Sequence, residues 1–227
     1  MLWDVDGTLL LNGGRAGMLY DEAIAEVTGV RPPGPRQGEH GKTDAQIITE
    51  RLRASGLDPA LLPAVSARLD ELSEAGNAGP WARRIAPGVH AALDATAAAG
   101  WTNAVLTGNS PARARFKFAG AGLAADRFDW RHSYYGHRAL TREAITTAAR
   151  ADLGPEALAV ILGDTPSDAD AADAAAFPFL AVATGAYPED VLAGTSAVVV
   201  VPDLEQGLAA VLDSLGRLAH APASAAR

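Results

Sequence analysis

Two acidic segments, far apart in the chain, contain the side chains whose types and spacing suggest chemistry. Residues 4–8 read Asp-Val-Asp-Gly-Thr and follow the apolar start of the chain, whereas residues 163–168 read Gly-Asp-Thr-Pro-Ser-Asp and follow the apolar run 157–162. Hard divalent cations prefer carboxylate oxygens, and open α/β sheets bind ligands where their strands end. The two segments together predict phosphoryl chemistry at a magnesium site.

Asp4 and Asp6 are two positions apart, so both side chains project to the same side of an extended segment. One carboxylate can then attack while its neighbour transfers a proton. An attacking carboxylate is repelled by a phosphate with roughly 4 kcal/mol per unit-charge pair at about 4 Å and an effective dielectric constant of about 20. We therefore expect Asp164, and less directly Asp168, to complete a site for Mg²⁺ beside Asp4.

With these motifs the chain resembles the haloacid dehalogenase (HAD) superfamily. Its phosphatases carry, in order, Asp-x-Asp-Gly-Thr, a Thr or Ser at a strand end, a Lys, and Gly-Asp-x-x-x-Asp. The matching positions here are residues 4–8, Thr107, Lys117 and residues 163–168, which together span nearly the whole chain. The resemblance implies an enzyme similar to phosphoglycolate phosphatase, with Mg²⁺ as cofactor and a small phosphorylated metabolite as substrate.

The resemblance also implies a role for each residue. Asp4 is the expected nucleophile, which forms an aspartyl-phosphate, and Asp6 is the expected acid and then base. Mg²⁺ is expected to bind Asp4, the backbone carbonyl of Asp6 and Asp164. Thr107 and Lys117 are expected to hold the oxygens of the transferring phosphoryl group.

Asp168 is the fourth residue expected at the metal, but its sequence context allows a second interpretation. Residues 165–168 are a plausible capping box, with Thr165 as N-cap and Asp168 three residues later. In that role Asp168 would still orient a metal-bound water or the lysine. Both interpretations remain open from the sequence.

Lysine is rare in this chain, since Lys42 and Lys117 are the only lysines among 19 basic residues. An ammonium group is compact enough to lie between Asp4 and the transferring oxygens, where the broader guanidinium group would crowd the nucleophile. Two alternatives are that Lys117 is a solvated helix residue, or that Arg138 supplies the positive charge from the segment before the last motif.

Two loops are expected to contact the substrate. Thr107, Gly108 and Asn109 follow a predicted strand, and Ser110 with Pro111 begins a helix whose free N–H groups point back toward a phosphate. These groups are expected to hold a phosphate oxygen while Ser110 caps the helix.

The second loop, residues 40–44, leads into a helix of an inserted lobe. Lys42 or Thr43 is expected to contact the leaving group, although simple helix capping by Thr43 or Asp44 is the alternative. Residues 12–15, Asn-Gly-Gly-Arg, are expected to form the hinge between the lobe and the core.

The elements that would position these residues alternate along the chain. β-Rich runs, mostly separated by helical stretches, occur at 2–5, 103–106, 157–162, 179–183 and 197–201. This pattern predicts an α/β fold with a doubly wound, mostly parallel sheet and a Rossmann-like core. Few residues precede Asp4 for a central strand, so either that strand is clipped or the native start lies upstream.

Between the first two predicted strands the pattern is helical, near 15–28, 44–54 and 59–75. We expect an α-helical cap domain inserted in the core, which closes over the active site. The predicted boundaries are 1–14 and 83–216 for the core, 15–82 for the cap, and 217–227 for a C-terminal tail.

Composition restricts the remaining possibilities. The 227-residue chain has a formal net charge of −8, so nucleic acid and anionic membrane surfaces are poor partners. It contains no cysteine, which excludes disulfides and thiolate catalysis, and its five histidines are scattered, which disfavours a zinc site. No apolar run suits a signal peptide or a membrane span, and a cytoplasmic protein is expected.

The same residues leave other functions to consider. A haloalkanoate dehalogenase is disfavoured, because its leaving group does not need the proton donor that Asp6 provides. A phosphomutase or another phosphotransferase would use every one of these residues and differs in which hydroxyl reaches the aspartyl-phosphate. A noncatalytic binding protein would bind Mg²⁺ or a phosphate without turnover. The sequence determines neither the ester that is used nor the oligomeric state.

Overall fold

A parallel sheet forms the centre of the structure, a computed structural model that describes residues 1–11, 13, 16–33 and 38–220. Within these residues its strands are β1 (Leu2–Trp3), β2 (Ala104–Thr107), β3 (Tyr134–Tyr135), β4 (Ile161–Gly163), β5 (Phe179–Val182) and β6 (Val199–Val201). The strand order is β3-β2-β1-β4-β5-β6, and every neighbouring pair is parallel. The strand order reverses direction at β1, so the chain opens beside the point where α/β folds bind their ligands.

Helices connect the strands, as parallel pairing requires. The helices of the described residues are α1 (Ala16–Thr28), α2 (Asp44–Ala54), α3 (Leu62–Gly76), α4 (Val89–Ala98), α5 (Pro111–Ala121), α6 (Arg142–Leu153), α7 (Pro166–Ala174), α8 (Glu189–Ala193) and α9 (Leu204–His220), of which α9 follows the last strand. Short 3₁₀ turns lie at Pro59–Leu61, Gly79–Trp81 and Ala125–Arg127.

Both faces of the sheet are covered by helices. Leu2 and Ile161 belong to one buried apolar cluster, which includes residues of α6 and α7. Their neighbours Trp3 and Leu162 belong to a second cluster, which includes residues of α4 and α9. Successive strand residues point to opposite faces, so these short apolar strands bury side chains on both sides. The predicted doubly wound α/β fold is confirmed.

The predicted strands are present, and all of them except β2 are shorter than expected. β1 ends at Trp3 rather than Val5, because a turn begins at Val5. β4 begins at Ile161 rather than Ala157, and Leu158 is exposed. The strand Tyr134–Tyr135 was not predicted, because two half-buried tyrosines at the sheet edge lack the apolar pattern of a central strand.

Helices α1, α2 and α3 form a lobe with an apolar cluster of its own, which we call the helical lobe. Its buried members are Leu19, Tyr20, Ala23, Ile24, Ile47, Ile48, Leu52, Val65 and Leu69. The observed helices agree with the predicted ones to within a few residues. Of the predicted hinge, Gly13 lies within the described residues, whereas Asn12, Gly14 and Arg15 lie outside them.

The last helix crosses the predicted boundary between the core and the C-terminal tail. α9 continues to His220, past the expected core boundary at Gly216, and Leu215 and Leu218 continue its apolar face against the core. Residues 217–220 of the predicted tail are therefore helical, and residues 221–227 lie outside the described part of the chain. Among the described residues, no helix has the length and apolar character needed to cross a membrane.

Candidate active site

The candidate site lies where three neighbouring strands end. Asp4 directly follows β1, Thr107 is the last residue of β2, and Asp164 directly follows β4. β1 pairs with both other strands, so that Trp3 is in register with Val105 and Leu162. Parallel strands present their carboxyl ends at one edge, and the residues from distant parts of the chain therefore meet there.

Three carboxylates form a buried cluster at this edge. Asp4, Asp164 and Asp168 each contribute one oxygen, and these atoms lie within 4.8 Å of one another. The residues are only 3%, 1% and 1% exposed. Burial raises the pKa of Asp4 to about 7, with Arg142 acting in the opposite direction. Burial and then Asp4 raise the pKa of Asp164 well above its usual range.

The cluster fits a hard divalent cation. It offers only oxygen atoms, and within the described residues three buried carboxylates lie beside one guanidinium group, that of Arg142, so a divalent cation would offset the remaining negative charge. The backbone leaves room for Asp164, since a Cβ atom at Gly7 or at Gly185 would lie 2.2 or 1.6 Å from Asp164 Oδ2. Gly7 also has φ +92°, which other residues rarely adopt.

Asp168 takes part in both of the arrangements that the sequence left open. Thr165 caps α7: its Oγ1 accepts a hydrogen bond from Asp168 N at 3.2 Å, while Asp168 Oδ2 accepts one from Thr165 N at 3.0 Å. This is the predicted capping box. The other oxygen, Oδ1, lies 2.6 Å from Arg142 Nη2, although the two are not aligned as a hydrogen bond. Capping therefore fixes Asp168 beside the acidic cluster.

Arg142 is a functional candidate that sequence reasoning missed. It is the first residue of α6, behind the N-cap Thr141, and its Nη2 donates a hydrogen bond to Asp4 Oδ1. Burial lowers the pKa of Arg142, but Asp168 and Asp4 outweigh this and raise it. Arg138, the predicted alternative, is exposed. The available signal was the Thr-Arg-Glu helix start at residues 141–143, shortly after Arg138.

Lys117 is buried and contacts Asp6 rather than Asp4, which differs from the predicted position. Its Nζ atom lies 2.6 Å from Asp6 Oδ2 and 2.6 Å from Asn109 Oδ1, and only 2% of the side chain is exposed. Because the side chain is buried, the alternative that Lys117 is a solvated helix residue is wrong. Burial lowers the pKa of Lys117 to about 7, with Asp6 acting in the opposite direction.

Asp6 is surrounded by donors. Besides Lys117, Asn109 Nδ2 donates to Asp6 Oδ2 at 2.7 Å, and Arg83 Nη1 forms an ion pair with Asp6 Oδ1 at 2.9 Å, although the two atoms are not aligned as a hydrogen bond. Burial would raise the pKa of Asp6, but Arg83 and Lys117 outweigh it and hold the pKa well below the usual range. Arg83 is a second residue that sequence reasoning missed. It lies in the connection from the helical lobe to α4, where no motif indicates chemistry.

The loop from β2 to α5 has the predicted form. Ser110 is the N-cap of α5, since its Oγ accepts a hydrogen bond from Arg113 N at 3.1 Å, and Pro111 is the first helical residue. Thr107 is buried, and its Oγ1 accepts a hydrogen bond from Asn109 Nδ2 at 2.6 Å. Asn109 therefore joins Thr107 to Asp6 in one network.

The helical lobe is attached to this loop by its backbone. Asp44 N donates to Gly108 O at 2.8 Å, and Thr43 Oγ1 donates to Ala139 O at 2.5 Å while accepting from Gln46 N at 3.0 Å. Thr43 is thus the N-cap of α2, as the capping alternative predicted. Gly108 must lack a side chain here, because a Cβ atom would lie 2.6 Å from the backbone oxygen of Lys42.

Polar side chains connect the helical lobe to α5 below this loop. Arg113 donates to Asp44 Oδ1 and, at 2.9 Å, to Tyr20 Oη. Ser110 N donates to Asp44 Oδ2 at 2.9 Å, and Arg113 Nε donates to Ser73 Oγ at 3.1 Å. All of these residues are buried. At least one residue from each lobe helix therefore takes part in a network with the core.

A cavity of about 280 Å³ lies between the helical lobe and the sheet edge. Asp4, Asp6 and Asp164 line it from the core, while His40 and Lys42 line it from the lobe. Lys42 also forms an ion pair with Glu50 at 2.7 Å. The structure thus brings most of the predicted residues to one cavity, whereas Thr43 is buried beside it as a cap.

Comparisons with solved structures identify the fold. CbbY from Rhodobacter sphaeroides in complex with phosphate is similar at a TM-score of 0.68 and 21% identity, over 91% of this chain and 94% of that chain. A CbbY mutant in complex with xylulose-(1,5)bisphosphate is similar at 0.65 and 20%, over 90% and 94%. The HAD hydrolase, family IA, variant 3 from Entamoeba histolytica is similar at 0.67 and 14%, over 95% and 98%.

No family model matches the chain, and no curated protein matches it. The likeness therefore rests on the structure. It extends over nearly the whole of each protein and includes both the sheet and the inserted helices, so the fold implied by the sequence motifs is confirmed.

Proposed function

We propose that this chain, which has the fold of the haloacid dehalogenase hydrolases, is a Mg²⁺-dependent phosphatase that hydrolyses a small phosphate monoester through an aspartyl-phosphate. The observation that carries the proposal is the meeting of Asp4, Asp164 and Asp168 within 4.8 Å beside one cavity. The cavity volume of about 280 Å³ is below the usual range for drug-sized ligands, which supports a small substrate.

In the proposed reaction an oxygen of Asp4 attacks phosphorus and the bond to the ester oxygen breaks. Asp6 gives a proton to the departing alkoxide. Water then attacks the phosphorus of the aspartyl-phosphate and gives a proton to Asp6, which releases inorganic phosphate and regenerates the Asp4 carboxylate. Bound Mg²⁺, held by Asp4, Asp164 and Asp168, would supply the positive charge that offsets the repulsion between carboxylate and phosphate.

The residues around these two carboxylates support different parts of the reaction. Arg142 donates to Asp4 and keeps the nucleophile in place beside Asp168. Lys117, with a pKa that burial lowers to about 7, lies 2.6 Å from Asp6 and is placed to supply its proton before the first step and to take a proton back after the second. Thr107 presents its hydroxyl at the neighbouring strand end, where it can contact a phosphoryl oxygen.

The test is release of inorganic phosphate from a panel of small phosphate esters, with Mg²⁺ and with EDTA. We expect turnover that needs Mg²⁺ and that Asp4→Asn reduces by at least about a thousandfold, since covalent catalysis then has no nucleophile. Asp213→Asn is the matched control, because Asp213 is exposed on α9. Wild-type turnover in Asp4→Asn would contradict the assignment of the nucleophile.

The same assay separates the alternatives. A phosphotransferase would move the phosphoryl group to a second hydroxyl, which phosphorus NMR detects as a new ester in place of inorganic phosphate. A binding protein would retain Mg²⁺ or phosphate without turnover of any ester. Either result would replace the proposed hydrolysis.

A further inference from the structure

Positive and negative charges are separated across the floor of the cavity. On the side of Asp4, three carboxylates lie beside one guanidinium group among the described residues, that of Arg142, which suits a divalent cation. On the side of Asp6, the balance is opposite, because Arg83 and Lys117 share that one carboxylate. This second side is where the ester oxygen must leave if Asp6 protonates it.

Arg83 has donors that its described contacts do not use. Its Nη1 atom lies 2.9 Å from Asp6 Oδ1 and 3.4 Å from Leu11 O, and both contacts use this one nitrogen. Only 4% of the side chain is exposed, and the buried Nε has no hydrogen-bond partner. A buried donor without a partner is unfavourable unless a ligand completes it. The side chain also lines the cavity.

Asp6 does not need Arg83 to be held in place. Asn109 and Lys117 already donate to Asp6 Oδ2 at 2.7 and 2.6 Å, and each of them is itself fixed within the network around Asn109. A planar guanidinium group binds a carboxylate or phosphate through two parallel donors, which a lysine does not provide. A second anionic group on the substrate would therefore find a prepared partner at Arg83.

We propose that Arg83 is a specificity-determining residue, which selects phosphate monoesters whose leaving group carries a second negative charge, a carboxylate or another phosphate. This inference rests on the proposed phosphatase function. Because Arg83 directly contacts the residue that protonates the ester oxygen, the second charge lies only a few bonds from that oxygen. The preferred substrates are thus short, doubly anionic esters.

The test compares ester pairs that differ in this charge. 2-Phosphoglycolate is paired with 2-hydroxyethyl phosphate, and propane-1,3-diol bisphosphate with propane-1,3-diol monophosphate. We expect kcat/KM to be about tenfold or more higher for the member with the second negative charge in at least one pair, as a charged hydrogen-bonded pair provides. Which pair shows the preference distinguishes a carboxylate from a phosphate.

The decisive variant is Arg83→Gln. We expect it to remove the preference, with kcat/KM for the ester that carries the second charge falling about tenfold further than for its partner without that charge. Arg84→Gln is the matched control, because the neighbouring Arg84 is exposed, and it should keep the wild-type preference. Turnover by Arg83→Gln of the ester without the second charge also reports whether the variant is folded.

The outcomes separate this inference from the proposed function. Equal losses on both esters in Arg83→Gln would mean that Arg83 only positions Asp6, which overturns the inference and leaves the phosphatase intact. A wild-type enzyme that hydrolyses both members of each pair equally well overturns it too. If no ester is hydrolysed, the proposed function fails, and calorimetric titration with 2-phosphoglycolate decides: binding that weakens about tenfold in Arg83→Gln supports the inference, and undetectable or unchanged binding overturns it.

Discussion

At the scale of single residues, the two carboxylates of the opening motif have different basic partners. Arg142 contacts Asp4 together with Asp168, whereas Lys117 contacts Asp6. A guanidinium group can bridge two carboxylates because its donors are spread over a plane, and an ammonium group acts as a point charge. Arg142 is thus suited to hold the acidic cluster, and Lys117 to exchange a proton with one oxygen.

This difference predicts the effect of losing Arg142. Arg142→Met should lower kcat by about a hundredfold or more, because Asp4 loses the charged donor that orients it. Arg142→Lys keeps the charge and should recover part of the loss. Phosphate release at saturating Mg²⁺ measures both. The exposed Arg138, replaced by Met, is the control, and wild-type kcat in Arg142→Met would show that Arg142 does not position the nucleophile.

How far the sequence predicts the site depends on where each residue lies. Asp4 and Asp164 were predictable because each directly follows an apolar strand, and parallel strands place their ends together. Arg142 and Arg83 were not, because they approach from a helix start and from a connection. Most basic residues here are arginines, so an arginine carries no signal by its type, whereas the rare Lys117 does.

At the scale of elements, α2 and α5 are joined through buried charge. Asp44, the first residue of α2, pairs with Arg113 of α5, and Tyr20 of α1 contacts both. Removing two charges from water is costly, and their attraction offsets this only while both partners are present. The contact between the helical lobe and the core therefore depends on the pair as a unit.

Replacing one partner of the Asp44–Arg113 pair should destabilise the protein more than replacing both. Arg113→Met leaves Asp44 buried without its counterion and should lower the free energy of unfolding by about 3–5 kcal/mol. The double variant Asp44→Asn/Arg113→Met should recover part of that loss. Urea unfolding measures both, with Arg68→Met as a control that changes stability little, since Arg68 pairs at the surface. A double variant as unstable as the sum of both single variants would contradict this view.

The elements themselves were predicted unevenly. The helices of the lobe were predictable because helical apolar periodicity and N-caps such as Thr43 mark their starts. The edge strand Tyr134–Tyr135 was not, since its pairing with β2 depends on a distant segment rather than on its own composition. The end of α9 was missed because an Ala-rich sequence resembles a tail until its leucines are seen against the core.

At the scale of the whole molecule, the acidic cluster couples stability to pH. Burial raises the pKa of native Asp4 from 3.8 to about 7, so the native state keeps a proton that the unfolded state has lost between these values. Stability rises with pH only where the unfolded state binds more protons, and here it binds fewer. Asp6, whose pKa is held low, is ionised in both states over the upper part of this range.

Without divalent cations, the contribution of Asp4 to the free energy of unfolding should therefore fall as pH rises from about 5 to about 7, by at most about 1.4 kcal/mol per pH unit. The Met1 amino group, whose pKa burial lowers to about 5, contributes in the opposite direction. Saturating Mg²⁺ should stabilise the protein and reduce this fall, because it favours the ionised carboxylates. Urea unfolding in EDTA and in Mg²⁺ measures the effect. The difference between the wild type and Asp4→Asn in EDTA isolates the contribution of Asp4, and an unchanged slope in that variant would assign the dependence to other groups.

The buried contact between Arg113, Asp44 and Tyr20 restricts how the helical lobe can be exchanged for that of another protein. Arg113 belongs to the core, so a chimera with a foreign lobe would enclose its cation without an acceptor unless the graft carries an acid and a hydroxyl at the matching places. Diversification of the lobe, in the laboratory or in evolution, must therefore preserve these two side chains or replace Arg113 at the same time.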